Sequence, residues 1–193
     1  MSSLELDPTV KPEAGQLSFS GIPEAQFVED VDAYMKGEES AEENLKVLDE
    51  KHQKYKFMET NLLSRRRRLK NQIPDIVSSL AMIDQLKAKA SKSEDTESQF
   101  LLSDQVYAKA VIPPTDKVCL WLGANVMLEY SLEDAQELLK SNKETALKNL
   151  SQIAFDLDFL RDQMTITEVT MARLYNWDVR RRQQGNSEGT AKK

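Results

Sequence analysis

The fold of this chain is decided by the stretch Lys117-Val118-Cys119-Leu120-Trp121-Leu122-Gly123. Side chains of a β-strand point alternately to the two faces of its sheet, so Val118 and Leu120 share one face, while Cys119 and Trp121 share the other. A strand that is apolar on both faces must be covered on both faces. The stretch therefore predicts a strand that needs more cover than a short segment of the same chain supplies.

Three further apolar runs surround this strand, at Gln99–Ser103, Val106–Ile112 and Asn125–Tyr130, and short polar or turn segments separate all four runs. Four such runs with tight joins predict two β-hairpins over residues 97–130. An isolated hairpin is only marginally stable in water, so we expect the hairpins to pair with partner chains. The residues expected to form that assembly surface are Phe100, Leu102, Val106, Tyr107, Val118, Leu120, Trp121, Leu122, Val126, Leu128 and Tyr130.

Long stretches of helical periodicity lie on both sides of the hairpins. Ser40 and Glu43 have the spacing of a capping box, and apolar residues then recur every three or four positions, which predicts a coiled-coil helix over residues 40–96 with a kink at Pro74. Ser131 opens a second such helix over residues 131–184. Each would be about 75 Å long. The matched lengths predict an antiparallel coiled-coil hairpin, in a fold that is mainly α with a small β part.

The two ends of the chain lack the long helical periodicity of its middle part. Residues 1–40 hold nine acidic residues and two lysines, a net charge of −7, whereas the whole chain has a net charge of −6. We expect the arm over residues 1–39 to be largely disordered. Within it, Phe27, Val28 and Val31 have helical spacing, which predicts a short docking helix near 23–36. Residues 185–193 are expected to form a disordered tail.

Composition excludes most catalytic chemistry. Only one glycine lies between residues 38 and 184, whereas a phosphate-binding loop needs several. His52 and Cys119 are the only histidine and cysteine, too few for a zinc site or a disulfide framework. We therefore predict no enzyme activity, no cofactor and no metal, with His52 as a polar break in the coiled-coil seam and Cys119 as a buried small residue.

Composition also bears on compartment and partners. A lone cysteine fits a reducing compartment, the cytosol or the nucleus, and no apolar run approaches the roughly 18 residues of a membrane span. The basic run Arg65–Arg68 encircles its helix and does not form one stripe, and the chain is acidic overall. We predict no membrane and no nucleic-acid partner.

The fold-back of the helices defines one more candidate surface. If residues near 88 lie opposite residues near 135, paired numbers add to about 223, and the start of the first helix meets the end of the second. This brings together Leu45, Leu48, Leu174, Tyr175 and Trp177, which we call the tip residues. They either form ordinary coiled-coil packing or an apolar patch that binds another chain.

The layout of helix, two hairpins and helix resembles the α-class subunits of the eukaryotic prefoldin family. The stretches that carry the resemblance are Ile22–Val31, Tyr55–Glu59, Pro113–Tyr130, Asp156–Gln163 and Tyr175–Val179. The segment Pro113–Tyr130 is the most specific of these. The resemblance covers roughly residues 20–183.

That resemblance implies a hexameric co-chaperone, in which this chain joins one further α-class subunit and four β-class subunits. The hairpins would form a double β-barrel platform that carries six coiled coils. Non-native actin and tubulin would be held between the coiled-coil tips and passed to the cytosolic chaperonin without ATP, in the cytoplasm or also in the nucleus. An alternative from another class is a coiled-coil scaffold or tether with a β-hairpin dimerisation segment.

Overall fold

Two long helices and two β-hairpins make up most of the chain. The structure is a computed structural model that describes residues 11–12, 15–36 and 40–190, the last six of these by their backbone only. The elements in chain order are α1 (Val31–Met35), α2 (Ala41–Ala90), β1 (Thr96–Ser103), β2 (Val106–Ile112), β3 (Lys117–Gly123), β4 (Val126–Ser131) and α3 (Leu132–Thr190). The predicted fold class, mainly α with two small antiparallel hairpins, is confirmed.

The long helices begin at the predicted capping residues. Ser40 Oγ accepts the Glu43 N–H at 3.4 Å, and Ser131 Oγ accepts the Asp134 N–H at 3.1 Å. Each hydroxyl thereby satisfies one of the backbone donors that a helix leaves free in its first turn. Helix α2 continues through Pro74 without interruption.

The ends of both helices differ from the predicted bounds. Helix α2 stops at Ala90 instead of residue 96, because Ser93 takes a left-handed φ of 56° and Glu94 N–H bonds to the Lys89 carbonyl at 3.1 Å. This is the hydrogen-bond pattern of a Schellman C-cap. Helix α3 runs on to Thr190 instead of stopping at residue 184. A single glycine costs about 1 kcal/mol in a helix, which is too little to end one.

The hairpins form two separate two-stranded antiparallel sheets, β1 with β2 and β3 with β4. In the second hairpin, Leu120 faces Leu128 and Trp121 faces Met127 across the strands. Its two-residue turn has Ala124 at φ 48° and Asn125 at φ 63°, the pair of positive angles that matches the twist of the strands.

The helices pair within each of two compact units, one of residues 1–67 and 150–193 and one of residues 68–149. In the first unit His52 bonds to Glu168 at 2.8 Å, and in the second Lys87 forms an ion pair with Glu133 at 3.3 Å. Both pairs of residue numbers add to 220. The helices are therefore antiparallel in each unit, with a register within one turn of the predicted 223.

The segment before α1 differs from the predicted short helix, and the described part of the N-terminal arm is ordered where disorder was expected. A helix near 23–36 was expected, but helix is present only at Val31–Met35, and the residues from 22 to 29 have no regular secondary structure. Residues 18–29, which we call the strap, lie along α3 and are ordered by it. Side chains of α3 and α2 take up the strap's backbone hydrogen-bonding groups, and this replaces the bonds that a helix would make internally. Most of residues 1–14 and residues 37–39 lie outside the described part.

Candidate functional site

The hairpins expose a large apolar surface. Twelve large hydrophobic side chains between residues 100 and 128 are exposed, among them Tyr107 (60%) and Trp121 (59%). The two strands of each sheet pair only with each other, so each strand also has a free outer edge. Uncovered apolar faces and open strand edges are the features to which a further strand or sheet adds.

The predicted assembly residues divide into two groups. Val118, Leu120 and Tyr130 pack against the buried cluster of Ile83, Leu132 and Ala135, so they attach the second hairpin to its own helices. The other eight are exposed and available to a partner, namely Phe100, Leu102, Val106, Tyr107, Trp121, Leu122, Val126 and Leu128. One face of β3 is thus covered by this chain, and the other is not.

Cys119 was expected to be buried, and this is wrong for the chain by itself, because Cys119 is exposed. It alternates with Val118 and Leu120, so it points to the face of β3 that its own helices do not cover. The prediction missed other members of the same surface: Leu101, Val111, Ile112 and Met127 are also exposed.

Four of the five tip residues meet in one cluster. Leu174 is 2% exposed and packs with Leu45, Leu48 and Trp177, which are partly buried. Tyr175 points away and is 60% exposed. The fold-back predicted from helix register therefore brings these residues together.

Helix α1 covers this cluster. Met35 is buried in it, and Val31 and Tyr34 pack against it. The indole Nε1 of Trp177 donates to Asp32 Oδ1 at 2.6 Å, which fixes α1 to the end of α3. The tip residues thus form packing in this structure, with part of the chain's own N-terminal arm as their partner.

The strap lies in a groove whose polar side chains bind its backbone. Asp156 is 1% exposed, and its Oδ1 accepts the Phe19 N–H at 2.8 Å, while Oδ2 accepts the Ser20 hydroxyl. Seven residues further along α3, Gln163 Oε1 accepts the Ala25 N–H at 2.8 Å.

The groove continues toward the end of α3. The Thr170 hydroxyl donates to the Ile166 carbonyl at 2.8 Å and lies 3.5 Å from the Gln26 carbonyl. Arg173 Nη1 donates to the carbonyls of Val28 and Glu29 at 3.0 and 3.2 Å. From α2, the Tyr55 hydroxyl donates to the Pro23 carbonyl at 2.9 Å. Burial raises the pKa of Tyr55, so its hydroxyl stays protonated as this donor.

Apolar contacts complete the groove. Ile22 and Val28 of the strap are buried, Phe19 meets Phe155 edge-on at 5.7 Å, and the Arg173 guanidinium lies 5.2 Å from the centre of the Phe27 ring. Among the described residues no buried side-chain nitrogen or oxygen lacks a hydrogen-bond partner. The strap supplies the donors for the buried oxygens of Asp156 and Gln163, while Thr167 and Thr170 bond to carbonyls of α3 itself.

The groove was not predicted, although one pattern in the sequence of α3 indicates it. Asp156, Gln163, Thr170 and Trp177 follow each other at intervals of seven, and each contacts the N-terminal arm. Polar residues repeated at one position of a coiled coil, beside an apolar seam, indicate a face that meets something polar. Buried polar side chains need partners, so such a face predicts a main-chain or side-chain ligand.

The described residues outside the hairpins and the groove carry few clusters of charged side chains. No group of three or more His, Cys, Asp or Glu side chains in the described part of the chain could hold a metal ion. Lys117 pairs with Glu129 across the second hairpin at 2.8 Å, and this carboxylate raises the pKa of Lys117. Between residues 11 and 190, as far as they are described, no helix is both long and apolar enough to cross a membrane.

Comparison with known proteins identifies relatives over most of the chain. The prefoldin subunit family matches residues 55–177. The chain is 59% identical over 169 residues to "Prefoldin subunit 3" of Mus musculus, with 86% of each chain covered. It is 51% identical over 185 residues to the protein of that name from Drosophila melanogaster, covering 95% of this chain and 92% of the relative. A "Probable prefoldin subunit 3" of Caenorhabditis elegans is 42% identical over 170 residues, covering 88% and 92%.

Proposed function

The chain belongs to the prefoldin family, as a co-chaperone subunit that assembles with other prefoldin subunits, and on that premise we propose that its complex captures non-native actin and tubulin. The complex is a hexamer with one further α-class subunit and four β-class subunits. It passes its clients to the cytosolic chaperonin without ATP. It works in the cytoplasm, with the nucleus as a second location.

The observation that carries the assembly step is the uncovered apolar surface of the hairpins. Trp121 and Met127 face each other across the second hairpin and are both exposed, as are Leu101 and Tyr107 on the first. Partner strands that added to the free edges would bury these side chains and pair the open backbone groups. Burial of one such large apolar side chain stabilises by about 1.5–3 kcal/mol, so several together support a permanent assembly.

The test of assembly is native mass spectrometry of the complex purified from its own cells. We expect six subunits, with this chain present once. The variant Trp121→Asp should be lost from the complex, because an unpaired carboxylate buried at the interface costs several kcal/mol. A matched control, Gln105→Asp, places the same carboxylate in the exposed turn between β1 and β2 and should assemble normally. A dimer of this chain alone would support the tether alternative and contradict the proposal.

The tip residues support the capture step. A non-native client offers apolar segments of no fixed sequence. Leu45, Leu48, Leu174 and Trp177, which helix α1 covers in this structure, would supply adaptable apolar surface without catalytic geometry once α1 is displaced. Weak contacts from several tips add through effective concentration. We expect that shortening α2 to start near residue 52 and α3 to end near residue 170 leaves the hexamer intact but weakens its suppression of actin aggregation. If the shortened complex protects actin as well as the full one, the tip residues serve packing only.

A further inference from the structure

The strap is held mainly through its backbone. Five of its main-chain groups are bonded by side chains of the groove: the N–H groups of Phe19 and Ala25, and the carbonyls of Pro23, Val28 and Glu29. Every polypeptide carries these groups, and only proline lacks the N–H. A groove that binds main-chain groups can therefore accept segments of many different sequences.

The geometry of the strap is that of a stretched chain. From Phe19 to Glu29 the strap advances 10 residues, while its contacts on α3 advance 17 residues, from Asp156 to Arg173. That distance on a helix is about 26 Å, or roughly 2.6 Å per strap residue. A helical strap would advance about 1.5 Å per residue and a fully extended one at most about 3.6 Å. The groove therefore fits an unfolded segment.

The side chains of the strap contribute few requirements. Only Ile22 and Val28 are buried apolar anchors, six residues apart, and Glu24, Gln26 and Phe27 are exposed. An extended segment with two apolar residues at about this spacing, and no proline at the two donor positions, can make the same main-chain bonds. It would lack only the features special to the start of the strap, namely the Ser20 hydroxyl that Asp156 accepts and the left-handed φ of Gly21. Non-native proteins offer many such segments.

We propose that the groove between α2 and α3, which the strap occupies, is a second client-binding surface that takes extended segments of non-native polypeptides, and that the strap is a displaceable occupant with the form of a client. The inference rests on the proposed function, since it supposes that the complex captures non-native chains. It adds the kind of segment recognised and the side chains that recognise it, namely Tyr55, Asp156, Gln163 and Arg173.

The covalent connection between the strap and α2 determines how readily a client displaces the strap. The strap is joined through α1 and a short connection to α2, so it competes at an effective concentration on the order of millimolar. A single client segment in free solution competes poorly against this. A client held at several tips of the complex has its own high effective concentration and can exchange with the strap.

Main-chain recognition is tested with peptides on the assembled complex. The strap is released by the double change Ile22→Asp and Val28→Asp, and a fluorescent peptide of residues 16–30 is titrated by anisotropy. We expect at least tenfold tighter binding to the released complex than to the unmodified one. N-methylation of the peptide at Ala25 should weaken binding at least tenfold, because it removes the hydrogen that Gln163 accepts. A peptide with Ala25→Ser keeps that N–H and should bind within threefold.

Client binding is tested at the groove itself, because other subunits also hold clients. A photoreactive p-benzoylphenylalanine replaces Phe155, which contacts the strap, and a permanently unfolded, carboxymethylated protein is the probe. Crosslinks to the probe should rise at least threefold on strap release and fall back when Arg173→Ala is added. The control Arg161→Ala removes an exposed arginine of α3 that pairs with Asp158, and should change nothing.

The results separate this inference from the proposed function. Equal binding of methylated and unmethylated peptides, or crosslinks that do not respond to strap release, would overturn the inference while aggregation assays on the full complex still tested client capture. Peptide binding without crosslinks to the unfolded protein would overturn it too, because the groove would then serve the strap alone. Methylation-sensitive peptide binding together with release-dependent crosslinks supports it.

Discussion

Replacing Asp156 with alanine should release the start of the strap. Asp156 is almost wholly buried, and its two oxygens accept the Phe19 N–H and the Ser20 hydroxyl. A hydrogen bond to a charged group contributes about 1.5–3 kcal/mol. Ser20 is exposed and can bond to water instead, and loss of the buried charge also removes a desolvation cost. We therefore expect a net loss equivalent to about one such bond, or ~1.5–3 kcal/mol.

Hydrogen exchange on the assembled complex measures this loss. Each 1.4 kcal/mol is about a factor of ten, so the amides of Phe19 and Ile22 should exchange about 10 to 150 times faster in Asp156→Ala. The Ile22 N–H is bonded within the strap, to Ser18 Oγ at 2.6 Å, so its exchange reports undocking of the whole segment. Asp156→Asn keeps one acceptor oxygen and should give an intermediate rate.

A neighbouring carboxylate provides the control. Asp158 lies on the exposed side of α3, where it pairs with Arg161 at 3.2 Å, and Asp158→Ala should change strap exchange less than twofold. The reasoning is refuted if Asp156→Ala leaves strap exchange within threefold of the unmodified chain. The strap would then be held by its apolar anchors alone.

Two other substitutions test the packing of the same unit. Leu160 is fully buried, so Leu160→Ala should cost about 2–5 kcal/mol and raise hydrogen exchange in the second half of α3, whereas Leu63→Ala, at an exposed position of α2, should cost less than about 1 kcal/mol. Tyr55→Phe removes the bond to the Pro23 carbonyl and should weaken strap docking by about 0.5–1.5 kcal/mol. Burial raises the pKa of Tyr55 above its usual value, so this contribution is present through neutral pH and is lost as an alkaline pH rises through the raised pKa. An alkaline titration of strap docking should then bring the unmodified chain toward the behaviour of Tyr55→Phe.

Local patterns in the sequence predicted the elements because their causes are local. The capping serines at 40 and 131, the apolar periods of α2 and α3 and the turn residues between strands act within a few positions, and the structure has these elements where those signals lie. The register of the two helices also followed from the point at which the helical hairpin closes, with residues near 88 opposite residues near 135. The end of α2 was not predicted, because the residue that takes the left-handed conformation there is Ser93 and not the glycine that usually marks a helix end.

The strap could not be predicted in this way because its cause is distant. The spacing of Phe27, Val28 and Val31 fits a helix, and local sequence offers nothing against it. The competing hydrogen bonds come from side chains more than 130 residues away, such as Asp156 and Gln163. A docking site for the arm was expected, but its conformation depended on partners that periodicity does not reveal.

The cover over the tip residues is weak enough to be functional. Helix α1 has five residues, too short to persist without its contacts. Met35 is its one buried side chain, which stabilises docking by about 1.5–3 kcal/mol, with smaller contributions from Val31, Tyr34 and the Trp177–Asp32 bond. If undocking costs about 3 kcal/mol, the tip is open roughly one part in 150, and the affinity of any one tip for a client is reduced by that factor. If the complex captures clients as proposed, capture at such a tip would depend on several tips acting together, and the N-terminal arm would protect a free tip from non-specific association.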